Sequence, residues 1–265
     1  MSAGALASQR QKREKFSQDL LAIWRRESVP GQGSADHSFS TFIDFSGELP
    51  HLSARFEWVT ELVLTARNTE VSLGRFLDSF PNVRYLIPES VRMEELSPAI
   101  FQMRDLQHLV LNGNSLRLSE SNAEGLSGIE ILTLLNLREN PLDIAPPVGF
   151  MQGLRELFLR DCAIGEFSSG MERLSALTRV DLRENNIATV GDELFDIPDA
   201  QNLHLDLRVT RSAWWRGSES HTIWKMPVSI VKCRFARMKT ISMSMTLQNQ
   251  ATVLIAGWNP TSDKD

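Results

Sequence analysis

Apolar residues recur along this chain in one fixed pattern. The stretch Leu132-Thr-Leu-Leu135-Asn-Leu137-Arg-Glu-Asn140-Pro-Leu142 returns as Leu177-Thr-Arg-Val180-Asp-Leu182-Arg-Glu-Asn185-Asn-Ile187. Both read L-x-x-L-x-L-x-x-N-x-L, with Val or Ile allowed for Leu. The alternation predicts a short strand with one buried face. The Asn that follows turns inward, where its amide pairs backbone groups left open by the bending chain. One such unit cannot bury its own leucines, whereas a stack of units can.

Taking the fourth motif position as a marker gives Ile43, Leu62, Leu86, Leu109, Leu135, Leu157, Val180 and Leu205, in steps of 19, 24, 23, 26, 22, 23 and 25 residues. A period of roughly 20–29 residues with this consensus is that of the leucine-rich repeat. The expected fold is an α/β leucine-rich-repeat solenoid: a curved parallel sheet, short helices on the convex side and an N-terminal helical cap. The motif is weak at Val83-Arg-Tyr-Leu86-Ile-Pro88, where Pro88 replaces the second strand leucine. It is strong at Leu106-Gln-His-Leu109-Val-Leu111-Asn-Gly-Asn114-Ser-Leu116. At Leu154-Arg-Glu-Leu157-Phe-Leu159-Arg-Asp-Cys162-Ala-Ile164 a cysteine takes the Asn place, which marks Cys162 as a buried structural thiol.

The flanks follow other periods. Residues 5–28 read as a helix, with Phe16, Leu20, Ile23 and Trp24 on one stripe that packs on the first repeat. A membrane-surface helix is the alternative. Residues 29–38 are a turn-rich linker, and 42–47 alternate like a capping strand. Between strands, 73–80, 96–106 and 171–177 take a helical period, as do Glu193, Leu194 and Phe195. The domains expected are thus 1–38 as a basic helix and linker, 39–208 as the solenoid, and 209–265 as an irregular tail.

Successive strand side chains alternate faces, so residues between the motif leucines point to the concave surface. One column is Glu61, Tyr85, His108, Leu134, Glu156, Arg179 and His204. The next is Val63, Ile87, Val110, Asn136, Phe158, Asp181 and Asp206. The third is Thr65, Glu89, Asn112, Arg138, Arg160, Arg183 and Arg208. The four arginines run beside Glu139, Asp161 and Glu184. One reading is a solvated ladder of ion pairs, each worth little. The other is a partner-docking stripe with aromatic anchors. Its candidate residues are Tyr85, His108, Arg138, Phe158, Arg160, Arg179, Arg183 and Arg208.

Composition narrows the partner. The net charge of -5 favours neither nucleic acid nor an anionic membrane. It hides three segments: residues 1–29 carry +3, 30–208 carry -13 and 209–265 carry +5. No apolar run reaches the ~20 residues of a membrane span, and 1–13 lack the apolar core of a signal peptide. Cys162 and Cys233 make no disulfide framework. The expected location is cytoplasmic, or outside by a route without a cleaved signal. There is no phosphate-binding glycine loop, CxxC pair, HExxH or Ser/His/Asp grouping, and His108 and His204 lie too many repeats apart to share a metal. No catalytic residue, metal or cofactor is expected, and the partner expected is another protein, bound by a monomer.

Several segments carry a closer resemblance: Leu20-Leu-Ala-Ile-Trp24-Arg-Arg-Glu27, Ile43-Asp-Phe-Ser-Gly47, Val59-Thr-Glu-Leu62-Val-Leu64 and Val180-Asp-Leu-Arg-Glu-Asn185-Asn-Ile187. Across about 15–208 the chain resembles the leucine-rich region of bacterial type III effectors and toxins of the novel E3 ubiquitin ligase type. The resemblance implies repeats that recognise a host protein and restrain a C-terminal ligase domain, whose cysteine is followed two residues later by Asp. Here Cys162 is followed by Ala and Ile, and Cys233 by Arg and Phe, so no residue inherits that role. The implied function is non-enzymatic protein recognition. The alternatives are the recognition part of a ligase whose catalytic domain is missing or separately encoded, and a degraded gene. Where the spacing asks for Gly-Asn-Pro after Arg208, the chain gives Val209-Thr210-Arg211. Loss of one G from GGT-AAC-CCG yields those three residues, so 209–265 read as translated out of the ancestral frame. A genuine cap with apolar strands at 228–231 and 251–256 is the rival.

Overall fold

The computed structural model describes residues 3–27, 37–66, 70–190 and 203–207, with the backbone of 214–216 and 223–225. Helix α1 (Ala3–Trp24) leads into β1 (Ser38–Ile43), β2 (Gly47–Glu48), β3 (Glu61–Ala66), β4 (Val71–Ser72), β5 (Tyr85–Glu89) and β6 (His108–Val110). Helix α2 (Glu120–Ser127) precedes β7 (Leu134–Asn136), β8 (Glu156–Phe158), β9 (Arg179–Asp181), β10 (Thr189–Val190) and β11 (His204–Asp206). The strands β12 (Trp214–Arg216) and β13 (Ile223–Lys225) follow. One sheet orders β1-β3-β5-β6-β7-β8-β9-β11, parallel throughout.

The register confirms the spine. Leu109, Leu135, Leu157 and Val180 face one another on adjacent strands and are fully buried. The first marker needs correction: Phe39, not Ile43, pairs with Leu62, and Ile43 pairs with Ala66. The strand starts at Ser38, inside the expected linker, and Phe39, Thr41 and Ile43 face the core while Phe42 is 62% exposed. This restores a first step of 23 residues and removes the anomalous 19.

The convex segments are tighter than expected. At Phe76–Ser79, Ile100–Gln102 and Met171–Arg173 they form 3-10 turns, not α-helices. Their repeats have few residues left to return the chain. The longest step, between Leu109 and Leu135, has room for the true helix α2, whose Ser119 hydroxyl accepts from Asn122 N–H at 3.3 Å. That helix was not expected from the sequence. Glu193, Leu194 and Phe195 lie outside the described residues.

Helix α1 closes the N-terminal end of the core. Phe16 and Leu20 are buried, Ile23 is half-buried, and Trp24 departs from the expected stripe at 48% exposed. Arg26 takes a left-handed conformation (φ 59), which ends the helix short of residue 28. Phe16 touches Phe45 edge-on at 5.4 Å and Phe76 at 6.0 Å. Phe76 meets Phe80, and Phe80 stacks on Phe56 at 4.8 Å and on Phe39 at 6.3 Å. This aromatic cluster joins α1 to the first repeats. Lys12 pairs with Asp44 at 2.8 Å, and Arg13 lies over Phe45 at 5.0 Å. The basic face of α1 is thus partly used in docking.

The inward Asn residues behave as the motif requires. Asn140 donates to the carbonyls of Leu111 (2.7 Å), Leu137 (2.9 Å) and Arg138 (3.1 Å) and accepts from Asn114 and Leu116 N–H, both at 2.9 Å. Asn185 repeats the set toward Leu159, Leu182, Arg183, Cys162 and Ile164. Cys162 is fully buried and its thiol donates to Leu137 carbonyl at 3.0 Å. The residue before each of these positions is left-handed: Gly113, Glu139, Asp161 and Glu184. That conformation turns the backbone sharply enough to bring the next side chain inside.

Past Leu207 the described chain is backbone only. β12 pairs with β10 and with β13 in a separate small sheet. Arg208, Cys233, the proposed strands at 228–231 and 251–256, and most of the tail lie outside the described residues.

Candidate concave interaction surface

The backbone sets the arginine column. N–H groups of Gly113, Glu139 and Asp161 donate to the carbonyls of Arg138, Arg160 and Arg183 at 2.9–3.0 Å. The left-handed residue of one repeat therefore anchors the arginine of the next. Asn136 Oδ1 accepts from Arg138 N–H (3.2 Å) and Asp181 Oδ1 from Arg183 N–H (3.3 Å), fixing where the side chains leave the strand.

The ion pairs differ from the expected ladder. Asp181, 5% exposed, accepts from Arg183 Nε and Nη2 at 2.8 Å and from Arg138 Nη2 at 2.7 Å. Burial alone would push its carboxyl up. The hydrogen bonds and charges of Arg183 and Arg138 outweigh that and hold it below the usual carboxylate range. Arg183 also lies 3.7 Å from Asp206. Of the three acids beside the arginines in sequence, Glu184 pairs with Arg160 at 2.8 Å. Asp181 as the hub was missed. Its signal was present: Asp181 is one of two acids in the middle column, one strand from Arg160 and two residues from Arg183.

Phe158 is 7% exposed. The guanidinium of Arg138 lies 4.3 Å and that of Arg179 5.1 Å from its ring centre, so the ring is roofed by cations rather than open to solvent. Arg179 itself is exposed and has no carboxylate partner among the described residues. Tyr85 and His108 meet edge to face at 4.6 Å one strand pair away. Burial pushes the His108 imidazole down, and the opposing charge of Glu156 only partly offsets it, so the neutral ring is favoured. The candidates thus fall into two groups: Tyr85 with His108, and Arg138, Phe158, Arg160, Arg179 and Arg183. Leu134 lies between them.

Among the described residues no cluster of three His, Cys, Asp or Glu side chains is placed to hold a metal, and no helix is long and apolar enough to cross a membrane. Burial pushes the Cys162 thiol up to about 12, the reverse of a nucleophile's shift.

No protein-family model matches the sequence. In shape the chain is similar to a leucine-rich-repeat protein of Leptospira interrogans, at TM-score 0.54 and 20% identity, over 74% of this chain and 52% of that one. It is also similar to the Arabidopsis receptor kinase HAESA, solved with the peptide hormone IDA and the co-receptor SERK1, at TM-score 0.52 and 20% identity. That match covers 67% of this chain and 30% of the other. The chain spans about half the length of the first and a third of the second. Together with the parallel sheet and the buried Asn positions, these likenesses establish the fold: a leucine-rich-repeat solenoid.

Proposed function

We propose that this chain is a non-enzymatic protein-interaction module that docks a polypeptide on its concave face through Tyr85, His108, Arg138, Phe158, Arg160, Arg179, Arg183 and Arg208. The observation that carries the reading is the arginine cluster. Its backbone is pinned repeat by repeat and its hub carboxylate is buried, yet Arg179 is exposed and has no carboxylate partner among the described residues. Pre-fixed arginines lose little entropy on binding, which suits hot-spot residues. A receptor kinase of this fold is seen bound to a peptide hormone, which supports the same use here.

The test uses a photo-crosslinking residue in the full chain at position 85, on the concave face, or at position 150, which is exposed on a return segment. Polypeptides captured at 85 but not at 150, and lost on Arg160→Ala with Arg183→Ala, are expected. Equal capture at both sites, or capture indifferent to the double change, overturns the reading.

The segments that resemble bacterial effectors support a finer proposal. The chain is the recognition part of an effector or toxin, either acting alone or serving a ligase domain that is missing or separately encoded. On this reading it is a cytoplasmic or signal-independently exported monomer, divided at about 38 and 208, with its tail out of frame. Ubiquitin transfer by this chain alone should be blank, and the adjoining nucleotide sequence should hold a repeat-and-ligase reading in another frame. Its absence there ends the proposal of an altered frame.

A further inference from the structure

We infer that the docked segment lies across the strands with a basic end over β3 and β5 and an acidic end over β8 and β9. This rests on the concave-face reading above. The outward positions of β1, β3, β5 and β6 include Glu61 and Glu89 and no lysine or arginine. From β7 to β9 four arginines face Glu156 and Asp181. Asp181 is engaged by Arg138 and Arg183, and Glu184 by Arg160, which leaves Arg179, exposed above Phe158, as the cation of this group without a carboxylate partner among the described residues; Arg160 is the most exposed of the three paired arginines. Between the two ends lie Val110 on β6 and Leu134 on β7, continued by Val63 and Ile87 beside Glu61 and Glu89; all four are half-buried. The face is thus graded from negative, through apolar, to positive.

The grading fixes the chemistry of the occupant. Strands in a sheet stand about 4.8 Å apart. Glu89 and Arg160 are three strands apart and Glu61 and Arg179 are five, so the charged ends are separated by roughly 15–24 Å. An extended segment at about 3.3 Å per residue covers that distance in about five to seven residues. The occupant is therefore a polypeptide segment with a cation and a carboxylate about five to seven residues apart and apolar side chains between. A uniformly acidic or uniformly basic segment meets like charge at one end, which costs both affinity and encounter rate.

Phage-displayed random dodecapeptides are panned on the full wild-type chain, and the enriched peptides are labelled and titrated by fluorescence anisotropy. The enriched pool should carry Lys or Arg and Asp or Glu at that separation with apolar residues between. Such a peptide should bind Glu61→Lys/Glu89→Lys at least tenfold more weakly. The milder Glu61→Gln/Glu89→Gln should lose about two- to fivefold, which guards against misfolding of the charge-reversed chain. Changing the peptide's basic residue to Glu should recover binding to Glu61→Lys/Glu89→Lys and not to Arg160→Glu/Arg179→Glu. A pool without separated charges, yet weakened by Tyr85→Ala or Leu134→Ala, overturns this inference and leaves concave docking intact. A pool indifferent to every concave substitution, or no enrichment over bare support, overturns both.

Discussion

A single inward Asn does more for this fold than any surface pair. Asn140 closes hydrogen bonds to two repeats from a site 1% exposed. Asn140→Ala strands buried N–H and C=O groups, each costing about 1 kcal/mol or more. The expected loss is roughly 2–4 kcal/mol in urea unfolding. Cys162 fills the equivalent place with a weaker donor. Its thiol is raised from 9.0 to about 12 by burial, so folding favours the protonated form. That contribution is intact below pH 9 and is lost as pH rises toward 12. Wild type should therefore lose stability relative to Cys162→Ser by up to about 1.4 kcal/mol per pH unit above 9. A pH-independent difference would contradict the assignment. Asp181 runs the other way. Its folded carboxyl is depressed, so its contribution is present above the ordinary carboxylate range and lost as pH falls through the lower folded value. Asp181→Asn should cost about 1–2 kcal/mol at pH 7, less than a fully buried pair because both arginines remain about a quarter exposed. The difference should vanish in strong acid.

At the scale of elements, the repeats meet by close backbone contact as well as by leucine packing. Gly170 has φ +81, and a Cβ there would sit 2.4 Å from the Cα of Gly149 in the neighbouring repeat. Gly170→Ala should therefore destabilise by about 2–4 kcal/mol, from overpacking and the positive φ together. Gly149→Ala, with its nearest atom at 3.1 Å and no positive φ, should cost less. A reversed order in thermal melts would show that the two return segments can slide apart. The strands were legible element by element because their leucines repeat, and the columns Glu61 to His204 and Val63 to Asp206 are reproduced by the register. The return segments were legible only in place. Local periodicity marks apolar contact but does not distinguish a 3-10 turn from an α-helix when few residues are available. The extra residues before Leu135 were the sign of α2.

For the whole molecule, stacking makes stability a chain of neighbour terms. A charge in the middle should break that chain without dissolving both ends equally. Leu135 is fully buried between β6 and β8. Leu135→Asp should replace one cooperative melt by two transitions. Amides of β1, β3 and β5, held by the Phe16–Phe39–Phe76–Phe80 cluster, should keep their exchange protection longest. Unchanged single-step unfolding would count against nearest-neighbour coupling.

The sequence by itself determined the repeat, its period, the buried spine, the inward Asn and Cys162, and which residues share an outward column. Each follows from local alternation and spacing, and a period-two strand leaves no choice of face. Only the tertiary structure decided that the first strand begins at Ser38 and that six phenylalanines join α1 to the first repeats. It alone decided that Arg138 reaches past its sequence neighbours to share Asp181 with Arg183 over a covered Phe158. Those outcomes depend on side chains two strands apart competing for the same partner. Distance across a sheet is set by stacking, and a one-dimensional pattern does not carry it.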